Sequence, residues 1–279
     1  MRQKGLNSKI RFRMAYDRRE HLRVFASKIE SKKFIAQRVG GAYLPTLYQV
    51  CQNPRDIAWK SLPDSFVAKA SWRSGGTVIC LPSNSFDGKV RFDSQFPRLI
   101  TSKNNMTQEQ FTSFFMKLDF DYLWQPGRFP EWAYGGAPRF VLIEEFLGNR
   151  EGRIPRDYKF FCFSGKVNFI QVDFPLEPFR DIYTRDWVKL PVRITYKNSQ
   201  SKLTPPANLP KMLHLAEILS QGWDFLRVDM YNVDGRIVAG ELTCYPEGGT
   251  GKIRPRSFDR RWGELWDVTG EPHLAEMAS

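Results

Sequence analysis

The segment Phe225–Pro246, FLRVDMYNVDGRIVAGELTCYP, constrains the chain more than any other. Two runs rich in apolar and β-branched residues flank Asp234-Gly235, which predicts a hairpin. A three-residue loop ending on Gly235 sets Asn232 opposite Arg236, Arg227 opposite Glu241 and Asp229 opposite Ala239. Side chains alternate across a sheet, so Arg227, Asp229, Glu241 and Thr243 then share one face. Val228, Met230, Val238, Leu242 and Cys244 take the other. A two-residue loop would send Asp229 and Glu241 to opposite faces. Two carboxylates on diagonal neighbours, beside an arginine, offer oxygen ligands to a hard cation such as Mg²⁺ bound with phosphate. A salt-bridged solvent face is the competing reading of the same residues.

At 279 residues, with 42% hydrophobic residues and 14% aromatic, the chain has enough apolar surface for one large domain or two joined ones. The formal net charge of +12 predicts an anionic partner, whether nucleotide phosphate, acidic polymer, nucleic acid or membrane surface. Cys51, Cys80, Cys162 and Cys244 are scattered without a CxxC pair, and His21, His214 and His273 are equally dispersed. That argues against a zinc site and against a disulfide framework, and for buried free thiols in a reducing cytoplasm. The basic N-terminus lacks the apolar stretch of a secretory signal, and no run approaches a membrane span. A cytoplasmic protein follows as the expectation, peripheral to the membrane at most.

Along the chain, residues 28–39 read as an amphipathic helix stopped by Gly40-Gly41. A strand is expected around Tyr43–Val50, and Phe66–Ala70 and Thr77–Leu81 read as strands joined by the loop SWRSGG. Residues 107–118 open on a Thr-x-x-Gln capping box and should be helical. The Pro/Gly/Trp-rich stretch 125–139 reads as a loop, followed by the buried strand RFVLIEEFL. Tyr158–Phe163 and Lys166–Asp173 form a second hairpin around Ser164-Gly165, and 209–220 carries apolar residues at helical spacing. Strands interleaved with few helices predict an α+β arrangement with antiparallel sheets.

Several polar groups stand out. Lys69 ends a strand before Gly75-Gly76, where an ammonium and backbone N–H groups can meet phosphate oxygens; an ordinary hairpin is the plainer alternative. Glu144-Glu145-Phe146-Leu147 ends a buried strand and reads either as a binding edge or as the start of a surface loop. Asp157, Lys159, Phe161 and Phe163 share one strand face, with Tyr158, Phe160 and Cys162 opposite; a charged pair there also serves as an edge guard. Glu247–Lys252 reads as a substrate-anion loop or a flexible turn. Lys252, Arg254, Arg256, Arg260 and Arg261 read as a solvated surface, with an acidic-substrate site the second choice, and Trp262, Leu265 and Trp266 as the packing face of a terminal helix rather than a stack for nucleobases.

In their order, these motifs resemble the ATP-grasp enzymes and, more narrowly, the teichuronopeptide-biosynthesis (TupA-like) ATP-grasp family. The resemblance rests on Leu62–Lys69 (LPDSFVAK), Asp157–Gly165 (DYKFFCFSG), Arg227–Gly235 (RVDMYNVDG), Gly240–Pro246 (GELTCYP) and Trp262–Trp266 (WGELW). It implies an ATP-grasp fold: two α+β subdomains with antiparallel sheets sandwiching ATP, behind a truncated N-terminal pre-ATP-grasp region. The expected division is 1–58 for that lead-in, 59–138 for the small subdomain and 139–279 for the large one.

The same resemblance assigns residues. Lys28 and Lys69 would contact the nucleotide, with Lys32 a weaker candidate for the first. Gly75 and Gly76 would cover phosphate, Glu144, Glu145 and Leu147 would hold adenine, and Asp157 and Lys159 would complete the nucleotide contacts. Asp229 and Glu241 would bind Mg²⁺, with Thr243 where most ATP-grasp enzymes carry Asn. Arg227, with Lys69, would steady the transferred phosphoryl group. The implied chemistry is carboxylate activation by Mg-ATP followed by attack of an amine, on an acidic substrate of cell-surface polymer synthesis, with no nucleic acid involved. A glycan kinase and a non-catalytic anionic-polymer binder are the alternatives.

Overall fold

The computed structural model describes residues 4–73, 75–93, 98–118, 131–135 and 138–268. Most of the expected loop at 125–139 lies outside the described residues. The chain divides into two compact units. One takes residues up to Leu44, a short stretch ending at Ala133, and everything from Pro155 on; the other runs from Pro45 and from Tyr134 to Ile154. The chain opens with helices α1 (Leu6–Tyr16), α2 (His21–Ala26) and α3 (Glu30–Val39), all in the first unit.

The second unit is a six-stranded sheet. Its strands are β1 (Leu47–Cys51), β2 (Phe66–Ala70), β3 (Thr77–Leu81), β4 (Arg91–Asp93), β5 (Arg98–Ser102) and β6 (Val141–Glu145), in spatial order β1-β6-β2-β3-β5-β4. Neighbours are antiparallel except β3 and β5, which run parallel. Helix α4 (Gln108–Met116) begins on the expected capping box: the Thr107 hydroxyl accepts from the Gln110 amide at 3.2 Å, and the Gln110 carbonyl accepts from the Thr107 amide at 2.9 Å. Its Phe111 and Phe115 pack with Phe66, Ala68, Val78 and Ile143 from one face of the sheet. Period-two alternation therefore turns Val67 and Lys69 to the other face.

The first unit is built on an antiparallel sheet of five strands. These are β7 (Asp157–Phe163), β8 (Lys166–Asp173), β9 (Arg180–Thr184), β11 (Phe225–Val233) and β12 (Arg236–Thr243), in spatial order β12-β11-β7-β8-β9. A short ribbon pairs β10 (Arg193–Ile194) with β13 (Ile253–Arg254). Ser164 (φ 46°) and Gly165 (φ 73°) make the tight turn expected between β7 and β8. Helix α5 spans Leu209–Ser220 as its apolar spacing predicts. With Phe25 and Ile35 it covers Tyr158, Phe160, Val228, Met230, Ala239 and Leu242 on one sheet face. Helix α6 (Arg256–Glu264) and the residues after it cover part of the opposite face: Trp262 stacks on Phe169 at 3.9 Å and Trp266 on Phe225 at 4.5 Å. Leu265 departs from expectation and is 39% exposed.

The key hairpin differs from its sequence reading in a way that preserves the site. Val233 pairs with Arg236, so the loop has two residues, not three. Asp234 (φ 49°) and Gly235 (φ 93°) both take the left-handed conformation that such a loop needs. Further along, Met230 pairs with Ala239 but Asp229 pairs with Glu241, leaving Gly240 as an extra residue. This bulge adds a second one-residue shift to the one that the shorter loop introduces, and the two together return Asp229 and Glu241 to one face. Asp229 therefore faces Glu241 and Arg227 faces Thr243, in place of the expected partners Ala239 and Glu241. Ala239 replaces Val238 on the core face, and Val238 lies opposite Tyr231. A Cβ at Gly240 would sit 2.9 Å from Tyr231 Cε2, so the bulge position has little room for a side chain.

Candidate active site

One face of the five-stranded sheet splits into an aromatic end and a charged end. Phe161, Phe163, Phe169 and Phe225 form the aromatic end beneath Trp262 and Trp266. Two residues further along the strands, the side chains become charged, or polar at Gln171. The register places Glu241, Asp229, Lys159 and Gln171 in one row across four strands, and Tyr231, Asp157, Asp173 and Arg180 in the next.

Asp229 lies at the centre and is 3% exposed. Its Oδ1 accepts from Arg227 Nε at 2.7 Å, and its Oδ2 accepts from Arg227 Nη2 at 2.6 Å and from Lys159 Nζ at 3.1 Å. Arg227 also donates to the Thr243 hydroxyl at 3.0 Å. Burial works against the charged form of Asp229, but Arg227 and Lys159 outweigh it and hold its carboxyl below the usual range. Lys159 in turn pairs with Asp157 and has Asp173 Oδ2 at 3.8 Å. Burial opposes the lysine charge, yet Asp157 and Asp229 hold its pKa above normal. Asp157 is the odd group. Burial pushes it up to about 6, against the pull of Lys159 and with repulsion from Asp229 and Asp173 adding to the rise. Its Oδ1 is buried and has no hydrogen-bond partner.

Three further residues complete this cluster, and the sequence reading did not single them out. Arg180 donates Nε and Nη2 to the two oxygens of Asp173, at 2.6 and 3.1 Å, and also pairs with Glu247. Gln171 donates to the same carboxylate at 3.1 Å. Asp173 had only a partial sequence signal: counting back from the Ser164-Gly165 turn sets Val172 opposite Asp157, and an extra residue at Asn168 shifts Asp173 into that place. Arg180 had none, because no tight turn fixes its strand against β8.

The glycine stretch after the hairpin is neither open nor loose. Glu247 (φ 49°) accepts from Arg180 and, at 2.7 Å, from the Thr195 hydroxyl. Asn7 Nδ2 donates to the Gly251 carbonyl at 2.7 Å, and Arg11 donates to the Gly249 carbonyl. A Cβ at Gly249 would stand 2.7 Å from the Asn7 carbonyl oxygen, so that glycine permits close packing of α1. The basic residues Lys252, Arg254, Arg256, Arg260 and Arg261 are exposed, as expected.

In the second unit, Lys69 Nζ is 2.9 Å from Glu144 Oε2, and Glu144 is 1% exposed. The two side chains come from adjacent strands, β2 and β6, on the face away from α4. Glu145 instead accepts from the Thr46 amide at 3.1 Å. Gly75 (φ 74°) and Gly76 (φ 62°) take the left-handed conformation at the end of the β2–β3 loop, and Leu147 follows β6. Lys28 lies in the turn ahead of α3, because that helix starts at Glu30, two residues later than expected. Cys80, Cys162 and Cys244 are buried free thiols and Cys51 is half-buried. Burial pushes Cys80 and Cys162 up to about 12, which leaves them unreactive.

The cluster in the first unit holds five carboxylates, Asp157, Asp173, Asp229, Glu241 and Glu247, against three cations, Lys159, Arg180 and Arg227. That surplus of negative charge, with Glu241 half-buried opposite Asp229, suits a hard divalent cation. Among the described residues, no group of three or more His, Cys, Asp or Glu side chains is placed to hold a metal alone. A Mg²⁺ bound there would have to take most of its ligands from phosphate and water.

Residues 134–267 match the family model of the TupA-like ATP-grasp proteins, and this span carries every residue of the charged cluster. Over that span, just under half of the chain, the sequence is similar to the TupA-like ATP-grasp family. Solved structures with some likeness to the chain include a D-alanine–D-alanine ligase from Bacillus anthracis complexed with ATP (14% identity, 80% of this chain and 54% of that one, TM-score 0.42). Others are the ATP-grasp ligase PsnB complexed with a minimal precursor (9%, 82% and 54%, 0.41) and an ADP complex of N5-carboxyaminoimidazole ribonucleotide synthetase (13%, 79% and 45%, 0.41). The chain thus spans about half the length of these structures. No curated protein matches the sequence. Among the described residues, which include the TupA-like segment's helices α5 and α6, no helix is long and apolar enough to cross a membrane.

Proposed function

We propose that the protein is a Mg-ATP-dependent carboxylate–amine ligase acting on an acidic precursor of a cell-surface polymer, on the cytoplasmic side. The observation that carries this reading is the direct pairing of Asp229 with Glu241, flanked by Arg227 and Lys159, within the TupA-like segment. Asp229 and Glu241 hold Mg²⁺ in this reading, with the Thr243 hydroxyl nearby as a neutral oxygen. Lys28, Lys69, Gly75, Gly76, Glu144, Glu145, Leu147, Asp157 and Lys159 are the proposed nucleotide contacts.

When bound, Mg-ATP would supply the phosphoryl group that converts the substrate carboxylate to an acyl phosphate, with ADP leaving; an amine would then attack the acyl carbon, displacing phosphate and losing a proton, to give the amide. This chain's own residues supply fixed charge. Arg227 is locked by Asp229 and Thr243, so its guanidinium meets charge on a transferred phosphoryl group without reorganising. Lys159 keeps its proton, so it serves as a cation and not as a base. Phosphoryl transfer depends on such positioning and needs no side-chain nucleophile, in keeping with the buried, unreactive thiols.

The test is ADP release by the whole chain across amino acids crossed with uronic acids and acidic peptides, with product mass determined. ADP formation that requires both a carboxylate and an amine, lost in Glu241→Gln, is the expected result. ADP formed with a sugar alone, with phosphate kept on the product, would make the protein a kinase. Salt-sensitive polymer binding without ATP affinity would make it a binding protein.

A further inference from the structure

Arg180 occupies a place in the charged cluster that neither the metal pair nor the nucleotide contacts account for. It is buried on β9, and its guanidinium spans two carboxylates and a backbone carbonyl. Nε and Nη2 grip both oxygens of Asp173 at 2.6 and 3.1 Å. Nη1 donates to the Ile194 carbonyl at 3.2 Å and to Glu247.

The consequence lies one strand away. Lys159 has three ammonium protons. Asp157 takes one and Asp229 another, the latter at 3.1 Å, while Asp173 Oδ2 waits at 3.8 Å. Three carboxylates thus compete for one ammonium. Asp173 stays in third place because Arg180 and Gln171 already satisfy its oxygens. A bidentate arginine–carboxylate pair fixes both position and charge, which a lysine in the same place could not do.

We infer that Arg180 is a positioning residue: by holding Asp173 it keeps Lys159 on Asp229. Without the guanidinium, Asp173 draws the Lys159 ammonium toward β8, and Asp229 loses one of its two cationic partners. The activity arm of the test rests on the ligase reading above; the structural arm does not.

The test uses the full chain and four variants: Arg180→Gln, Arg180→Lys, Arg180→Gln with Asp173→Asn, and Glu247→Gln. Two quantities are read, ATP affinity by calorimetry and the side-chain NMR signal of Lys159 at fixed pH without nucleotide. Arg180→Gln is expected to shift the Lys159 signal and to weaken ATP binding at least tenfold. Adding Asp173→Asn removes the competing charge, so the double variant should return to within about threefold of wild type with the Lys159 signal restored. Arg180→Lys should fall between wild type and Arg180→Gln.

Glu247→Gln breaks the other tie of Arg180 and should leave the Lys159 signal unmoved. If Arg180 serves only to anchor the Glu247 loop, Glu247→Gln will mimic Arg180→Gln and the double variant will show no rescue; either result overturns the inference. If Arg180→Gln fails to fold, Arg180→Lys with and without Asp173→Asn gives the same comparison. Wild-type protein that binds no ATP would sink the ligase reading alone, and the Lys159 signal would still decide the role of Arg180.

Discussion

Replacing Asp229 by Asn probes the centre of the cluster with almost no change of shape. The carboxylate accepts two bonds from Arg227, at 2.7 and 2.6 Å, and one from Lys159 at 3.1 Å. An amide keeps one acceptor oxygen but presents an N–H₂ donor to a donor. The amide oxygen can hold the Oδ2 contacts, so the bond from Arg227 Nε is lost outright, worth about 1.5–3 kcal/mol because the partner is charged, and the other two lose their ionic pairing, which takes the cost to the upper end of that range or beyond. Removing one side of a buried ion pair costs about 3–5 kcal/mol by a separate route of measurement, and the two ranges agree. We expect the β7–β11–β12 region to lose about 3–5 kcal/mol, a large part of the roughly 5–15 kcal/mol that holds a domain folded. Because the chain has two compact units, the assay is native-state hydrogen exchange at β11 and β7 amides, which reports local stability. Adding Arg227→Gln removes one charge of each sign and should recover part of the loss. Protection in Asp229→Asn within about 0.5 kcal/mol of wild type would refute the reasoning, since surface substitutions do no more than that. The depressed pKa of Asp229 also sets a sign: its contribution is present above the ordinary carboxylate range, near about 4, and fades as pH falls through the folded value.

Asp157 has the opposite sign. Its folded pKa, raised to about 6, means that its charged form opposes folding, so wild-type Tm should fall as pH rises from about 4 through 6. Asp157→Asn should flatten that part of the Tm–pH profile, and an unchanged slope would remove Asp157 as its cause. Deleting Gly240 leaves a regular ladder in which Glu241 still follows Ala239 opposite Asp229, so folding and ADP release should survive. Inserting a second residue there should send Glu241 toward the core and abolish both, and equal behaviour of the two variants would count against the register. Lys69→Met removes the ammonium 2.9 Å from the buried Glu144 carboxylate, a charge-assisted contact worth about 1.5–3 kcal/mol, so it should destabilise the six-stranded sheet by about that much and weaken ATP binding. Unchanged hydrogen exchange in β2 and β6 would argue that Glu144 does not depend on that lysine.

How far the sequence foretold this molecule depends on how local the determining contacts are. Helix α4 was legible because Thr107 and Gln110 satisfy each other across one turn, and α5 because its apolar stripe repeats at helical spacing. The β7–β8 hairpin was legible from Ser164-Gly165 and period-two alternation. Asp229 and Glu241 were placed on one face for an imperfect reason: the loop is one residue shorter than read, and the bulge at Gly240 adds a second shift that returns them to one face. A bulge has no strong sequence mark beyond a glycine. Strands β4, β5 and β9 were missed because their partners lie across connections without turn signals. Arg180 belongs to the same class, since only tertiary pairing brings it to Asp173.

The clamp on the glycine stretch has a consequence for biosynthesis. Helix α1 meets partners that leave the ribosome more than two hundred residues later: Asn7 binds Gly251 and Asp259, and Arg13 binds Asp224. Until those arrive, the apolar side of that helix has nowhere to dock. The sheet encoded between Pro45 and Ile154 is under no such delay, because all six of its strands emerge together. Synthesis should therefore finish the middle of the protein first and leave its opening helix in need of shelter, a window in which a chaperone can bind it.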